Sequence, residues 1–305
     1  MKILVTTPTG NIGRRIVDEL LAPEFAVRVI ARDPARLSQA VREQVEVVSG
    51  PMDATTLRAA LDGAEAMFLC VPPATMQERD AHGHYERIAQ AAAEAIHAAR
   101  TPRVVTVSAV GKGRAQNAGP LSALHAMEDI LNESGAAIRH LRCGVFMENL
   151  VHQAQAIAQR GVFSYPMPGH VAIPMVAATD VADTALRWLV RRDWNGVAAM
   201  AMHGPVDLSY NQVAAGIERV LEQPVRYQEV ATNAFMQTLV GEGASTEYAQ
   251  SLVAMFSELA RGIARAEPRM PETTTPTTLG KWVSEELLPA VAPQTEAACC
   301  CDGGN

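Results

Sequence analysis

The sequence predicts an α/β fold, a doubly wound parallel sheet with a smaller C-terminal α/β lobe. Three observations predict it. Apolar runs of strand length alternate with amphipathic helical stretches from Lys2 to Leu141. The chain opens with strand, glycine turn, helix and strand in 32 residues. Beyond residue 150 the alternation gives way to proline- and glycine-rich segments and to helices.

The first strand is Lys2 to Thr7 (KILVTT), followed by the turn Pro8-Thr9-Gly10-Asn11-Ile12-Gly13. Arg14 to Leu21 is an amphipathic helix, Ala26 to Ala31 a second strand, and Arg32 follows it directly. A turn without side chains lets backbone N–H groups and a helix N-terminus meet a pyrophosphate. Thr7 stands where such turns usually carry their first glycine, so phosphate contact leans on Thr9, Gly10, Asn11 and Ile12 beside Thr7 and Gly13.

Asp33 to Leu37 opens a short helix, and Val45 to Ser49 is a third strand. Asp53 is placed to cap the helix Ala54–Leu61 and to lie near an adenine. Ala64 to Val71 is a strongly apolar fourth strand, ended by Pro72-Pro73, and Val71 and Pro72 join the cofactor-facing set. A long helix spans Met76 to Arg100, with His82 and His84 read as solvated surface residues. Arg103 to Ser108 is the fifth strand, Leu121 to Ser134 a helix closed by Gly135, and Ala137 to Leu141 the sixth strand. A helix from Leu150 to about Arg160 follows.

In the second half, residues 162–174 read as a loop. Thr179-Asp180 reads as the cap of a helix to Arg191, and Val197 to Met202 as a strand. Ser209 caps Tyr210 to Leu221, Val225 to Val230 is a strand, and two helices follow at 233–240 and 246–265. Leu279 to Leu287 is a last helix. The division expected is a nucleotide-binding domain over 1–150, a substrate-binding lobe over 151–289 interleaved with the main sheet, and a disordered tail over 290–305.

An apolar fraction of 48% supports a sizeable core in 305 residues. A net charge of −7 argues against a nucleic-acid partner. Met1 leads straight into a strand, and no apolar run is long enough to span a bilayer, so the expectation is a cytoplasmic protein with no membrane partner. A homodimer is compatible with the sequence. Cys70 and Cys143 read as reduced core thiols, and no metal site is expected, Cys299-Cys300-Cys301 being poorly placed to build one alone.

Several runs now agree with one family. TTPTGNIG, IARDP, FLCVPP, VTVSAVG, HAMEDILNESG, LRCGVFMENL, ATDVADTALRWL and GPVDLSYNQVA occur in order, and the chain resembles the NmrA-like atypical short-chain dehydrogenase/reductases. FLCVPP, FMENL and GASTEYAQSLVAMF also look similar to the branch containing the clavine-type ergot alkaloid reductases. The resemblance implies a Rossmann-like domain binding NADP(H), with a substrate cleft between it and the lobe. The residues agree on the cofactor. NAD-preferring sites place a carboxylate at the end of the second strand, whereas Arg32 is suited to a 2′-phosphate.

The chain has only three lysines, Lys2, Lys112 and Lys281, and none follows a tyrosine by four. The Tyr/Lys acid pair of ordinary short-chain dehydrogenases is therefore absent. The remaining catalytic candidates are Ser108 at the end of the fifth strand, and His125 and Glu128, three apart on the next helix. His125 suits proton donation after hydride arrival. Through the resemblance, Glu128 takes the lysine's place and Leu124 the tyrosine's. Lys112 is a candidate cover for the nicotinamide. Phe146, Met147 and Asn149 are candidate pocket residues for a small hydrophobic or aromatic substrate. The functions weighed are an NADPH-dependent oxidoreductase acting on a quinone, an iminium or a conjugated carbonyl, an NADP(H)-sensing regulator without turnover, and a cofactor-dependent isomerase or cyclase.

Overall fold

A computed structural model describes residues 1–114 and 117–292. The triple cysteine, Cys299 to Cys301, lies outside the described residues. In chain order the first half comprises β1 (Lys2–Val5), α1 (Asn11–Leu20), β2 (Ala26–Ala31), α2 (Gln39–Arg42), β3 (Glu46–Ser49), α3 (Ala54–Leu61), β4 (Ala66–Leu69), α4 (Ala81–Ala99), β5 (Arg103–Ala109), α5 (Pro120–Asn132) and β6 (Ala137–Cys143). The second half comprises β7 (Val145–Phe146), α6 (Ala154–Arg160), β8 (Val162–Tyr165), β9 (Ala172–Val176), α7 (Ala178–Val190), β10 (Val197–Met202), β11 (Asp207–Ser209), α8 (Tyr210–Leu221), β12 (Arg226–Glu229), α9 (Thr232–Gly241), α10 (Thr246–Ala260), α11 (Leu279–Trp282) and α12 (Leu288–Val291).

Seven parallel strands make the main sheet in the order β10-β6-β5-β4-β1-β2-β3. Both faces are covered at the centre, which is why β1 and β4 read as continuous apolar runs rather than alternating. Ile3 and Val5 point to the layer holding Ile16, Val17 and Leu20 of α1 and Val181, Ala185 and Leu189 of α7. Leu4 points to the other layer, with Leu57, Leu61, Ala89, Ile96, Met127 and Leu131. The direction of winding reverses between β1 and β4, so a crevice opens at the carboxyl ends of the strands there. The chain enters the main sheet once more at β10, after part of the lobe has formed.

The lobe has its own core, with Met147, Leu150, Phe163, Tyr210, Ile217, Phe256 and Trp282 buried together. Two strands stand where a loop was expected. β8 pairs in parallel with β12, and β9 pairs with β7 and β11. Their partners are distant in sequence, and Pro166, Pro168 and Gly169 form only the link between them.

A second difference lies at the start of α7. Thr179-Asp180 does not cap it; Ala177 is the N-cap residue and offers no side-chain bond. The Ala178 N–H donates instead to Glu148 Oε1 at 2.9 Å. Asp180 is buried and accepts from the Thr277 N–H at 3.0 Å and the Thr277 hydroxyl at 2.7 Å, tying α7 to the C-terminal segment. The chain is still helical at Val291, so the boundary expected at residue 290 falls within α12.

Candidate cofactor and substrate site

A cleft of about 920 Å³ runs along the carboxyl ends of the strands. Its walls bring together Thr7, Thr9, Gly10, Asn11, Ile12, Gly13, Arg32, Asp53, Val71, Pro72, Phe146 and Asn149, all singled out from the sequence. The floor is the β1–α1 turn. Thr7 adopts φ +50°, a left-handed conformation that suits glycine and is uncommon for a β-branched residue. The Gly10 N–H closes the turn on the Thr7 carbonyl at 3.0 Å. A Cβ on Gly13 would stand 2.2 Å from that same carbonyl oxygen, so only glycine lets α1 pack this close.

Gly10, the N-cap of α1, provides no side-chain cap, and no acidic residue lies in the first turn. The free N–H groups and the positive end of the helix therefore face the cleft. This is the environment a pyrophosphate requires, and the residues present fit a dinucleotide.

At one end, Arg32 and Arg36 are exposed in the wall and form no ion pair among the described residues. The neighbouring carboxylates are engaged elsewhere. Asp33 accepts from the Ala35 N–H at 3.0 Å, and Asp53 accepts from the Thr56 N–H at 2.9 Å as the cap of α3. Two guanidiniums and no competing free carboxylate make this end suited to a phosphate.

The cleft is also lined by Cys70, Pro73, His84, Ile88, Glu148, His152 and Ala178, with Phe146 and Asn149. His84 is not simply solvated. Its Nε2 is 3.0 Å from the Pro72 carbonyl. A carbonyl only accepts, so Nε2 carries a hydrogen. Desolvation pushes the Cys70 thiol up to about 11, against a smaller opposing effect of the Thr7 hydroxyl. Desolvation also raises the Glu148 carboxyl, although the Ala178 N–H and the Trp282 Nε1–H, at 3.0 Å, both bind its Oε1.

Ser108, His125, Glu128 and Lys112 are close to one another but line no part of this cleft. Glu128 is 1% exposed and accepts from Arg142 Nε at 2.9 Å and Nη2 at 2.7 Å. Desolvation is the largest single influence and opposes its charge, but Arg142, with smaller help from Ser108 and His140, holds the carboxyl down at about 2. Lys112 Nζ stands 3.2 Å from Glu128 and 2.5 Å from Asp129, clamped on α5. His125 Nε2 donates to the Ala109 carbonyl at 3.0 Å, and desolvation lowers its pKa, so the ring is neutral at pH 7. Ser108 is buried beside Glu128 with its hydroxyl making no hydrogen bond of good geometry. Met147 is 1% exposed and belongs to the lobe core, because the 3-10 turn after β7 aims it inward while Phe146, Glu148 and Asn149 face the cleft.

Wall residues with polar side chains that were missed from sequence include Arg36, Cys70, His84, Glu148 and His152. Arg36, four places after Arg32, was detectable from spacing. Cys70 directly follows β4, next to Val71, whereas His84, Glu148 and His152 reach the cleft through the docking of α4 and the lobe, which leaves no local signal.

A profile of the NmrA-like family matches residues 1–275. The chain belongs to the NmrA-like family. It is 29% identical over 262 residues to an NAD(P)H azoreductase of Xenophilus azovorans, covering 84% of this chain and 86% of that one. It is 31% identical over 242 residues to a (4-alkanoyl-5-oxo-2,5-dihydrofuran-3-yl)methyl phosphate reductase of Streptomyces griseus, covering 79% and 81%. In three dimensions it matches an NADPH-dependent quinone oxidoreductase of Escherichia coli solved with NADPH, at a TM-score of 0.75 and 23% identity, over 92% of this chain and 98% of that one. This NmrA-like chain shares its overall fold with that solved structure.

Proposed function

We propose that this NmrA-like protein is an NADP(H)-dependent oxidoreductase that passes hydride to a small, activated, hydrophobic acceptor. The observation that carries the reading is the cleft itself. It joins an uncapped helix N-terminus, two free guanidiniums and a wall around Phe146 in one continuous space. Relatives named for azo, quinone and dihydrofuranone reduction support the reaction class.

When bound, the nicotinamide supplies the hydride. The chain supplies position. The α1 N-terminus and Gly10 hold the pyrophosphate, and Arg32 and Arg36 hold the 2′-phosphate. Cys70, Val71, Pro72 and Phe146 line the wall of the same cleft. Ser108, His125 and Glu128 act in this reading as support beneath the β5–α5 loop, because Glu128 is fully engaged and His125 is neutral and bonded to Ala109. A site whose α5 presents no acid to the cleft suits acceptors that take hydride readily: an iminium needs no proton to give the amine, and the anion left by hydride on a quinone or a conjugated carbonyl takes one proton from solvent. The test is NADPH oxidation with a quinone and an azo dye. Saturable turnover supports the reading, and tight NADPH binding with no oxidation by either acceptor refutes it.

A further inference from the structure

A second cavity, of about 340 Å³, lies on the lobe side of the β5–α5 loop and shares no lining residue with the cleft. Its walls are Arg114, Glu258, Arg261, Gly262, Ile263, Arg265 and Ala266. Three guanidiniums thus meet at one concavity in a chain whose net charge is −7.

The backbone arranges this convergence. Arg114 closes a turn by donating its N–H to the Gly111 carbonyl at 3.1 Å. Arg261 follows the last turn of α10, where the helix dipole favours a cation. Gly262 adopts φ +90°, and a Cβ there would stand 3.2 Å from Arg265 Nη2, so glycine lets the Arg265 guanidinium fold back over the backbone. Ile263 anchors the segment, packing so closely on Gly111 that a Cβ on that glycine would stand 2.5 Å from it.

The only carboxylate in the wall is Glu258, and it pairs with Arg261. Arg114 and Arg265 form no ion pair among the described residues, so the cavity keeps an excess of positive charge. A lone surface arginine needs no explanation, but three held around one cavity with one carboxylate among them leave donors that match an anion. Guanidiniums present planar forks suited to phosphate oxygens.

We propose that this cavity is a binding site for a phosphate-bearing small molecule, separate from the cofactor cleft. Its volume exceeds that of one phosphate group, so the ligand class is a phosphate monoester rather than the free ion. A ligand here would sit beside the loop that carries Gly111 and Lys112, which is tied down where the Gly111 N–H donates to Glu267 Oε2 at 2.7 Å.

The experiment is calorimetric titration of the NADP-saturated protein, so that the cleft is filled, with glycerol 3-phosphate and, in parallel, inorganic phosphate. The proposal expects saturable binding, tighter for the ester. Arg114→Ala and Arg265→Ala, both at exposed positions, should each weaken it by about tenfold or more, the scale of a lost charge-assisted contact. Arg265→Lys should recover part of the loss. Arg42→Ala, an exposed residue on α2, is the control and should leave binding unchanged. No saturable binding of the ester, equal binding by the double variant Arg114→Ala/Arg265→Ala, or binding of the free ion alone would each overturn the proposal.

Discussion

The carbonyl oxygen of Thr7 stands 2.2 Å from the place a Cβ would take on Gly13, but 3.4 Å from the corresponding place on Gly10. The two glycines of one turn therefore have different reasons to be glycine. Gly13 is required by the protein's own packing. Gly10 has room and an ordinary backbone, with φ −84°, so only a ligand pressed against the turn would object to a methyl group there.

Gly13→Ala should accordingly lower stability by about 1–3 kcal/mol, the cost of forcing atoms into a full site. Gly10→Ala should cost no more than about 1 kcal/mol, the loss expected on changing an N-cap to alanine. It should also weaken NADPH binding by about tenfold or more, as a methyl group displaces the pyrophosphate. Urea unfolding and fluorescence titration separate the two effects. A Gly10→Ala protein that binds NADPH as the parent does would remove the turn from the cofactor site.

Arg32 and Arg36 should set the preference for NADPH over NADH. Each charge-assisted contact to the 2′-phosphate contributes about 1.5–3 kcal/mol, so the double alanine variant should lose affinity for NADPH by about a hundredfold or more while its affinity for NADH stays unchanged. Arg32→Asp should move the preference further toward NADH. An unchanged NADPH-to-NADH ratio in the double variant would place the 2′-phosphate elsewhere.

His140 makes the fold sensitive to acid. It is 1% exposed, with Nδ1 2.7 Å from the Thr106 hydroxyl and Nε2 3.0 Å from Asn132 Oδ1, partners that suit the neutral ring. Desolvation, opposed in part by Glu128, lowers its pKa from 6.5 to about 4. The unfolded chain therefore binds the proton first. The stability held by the neutral ring is whole above pH 6.5 and is lost as the pH falls toward about 4, roughly 3 kcal/mol in all. Glu128 adds a second, lower window, from its ordinary 4.5 down to about 2. Urea unfolding at pH 7, 5 and 4 should show the loss, and His140→Gln should flatten it. Equal slopes in parent and variant would contradict the assignment.

Much of the chain was legible because the determinants were local. β2 and β10 begin and end where their apolar runs do, and Asp53 and Ser209 cap the helices that follow them. β8 and β9 were hidden because each is completed by a strand distant in sequence, and Pro166, Pro168, Gly169 and Pro174 read as punctuation. Thr179-Asp180 carried the signature of a cap, yet a carboxylate thirty residues away, Glu148, performs that task. At the site, the glycine turn and Arg32 were visible in the strand-turn-helix pattern. His84 and Glu148 depend on how α4 and α7 dock, and Glu128 of α5 could not be read in isolation, because its partner Arg142 lies on strand β6.

Glu128→Gln tests that last reading. Removing the charge leaves Arg142 and Lys112 without their shared carboxylate, and stability should fall by about 3 kcal/mol. Turnover per folded molecule should stay close to the parent's. A drop of about a hundredfold in kcat with stability intact, the scale of a lost general acid, would make Glu128 a participant in proton transfer.

The measurement that tests the central claim most directly is the oxidation of NADPH, followed by its nicotinamide absorbance, on addition of a naphthoquinone to the purified protein. The account predicts saturable turnover that falls sharply when NADH replaces NADPH and recovers relative to NADPH in Arg32→Asp. NADPH bound in the cleft but left unoxidised with the quinone and with an azo dye would contradict it.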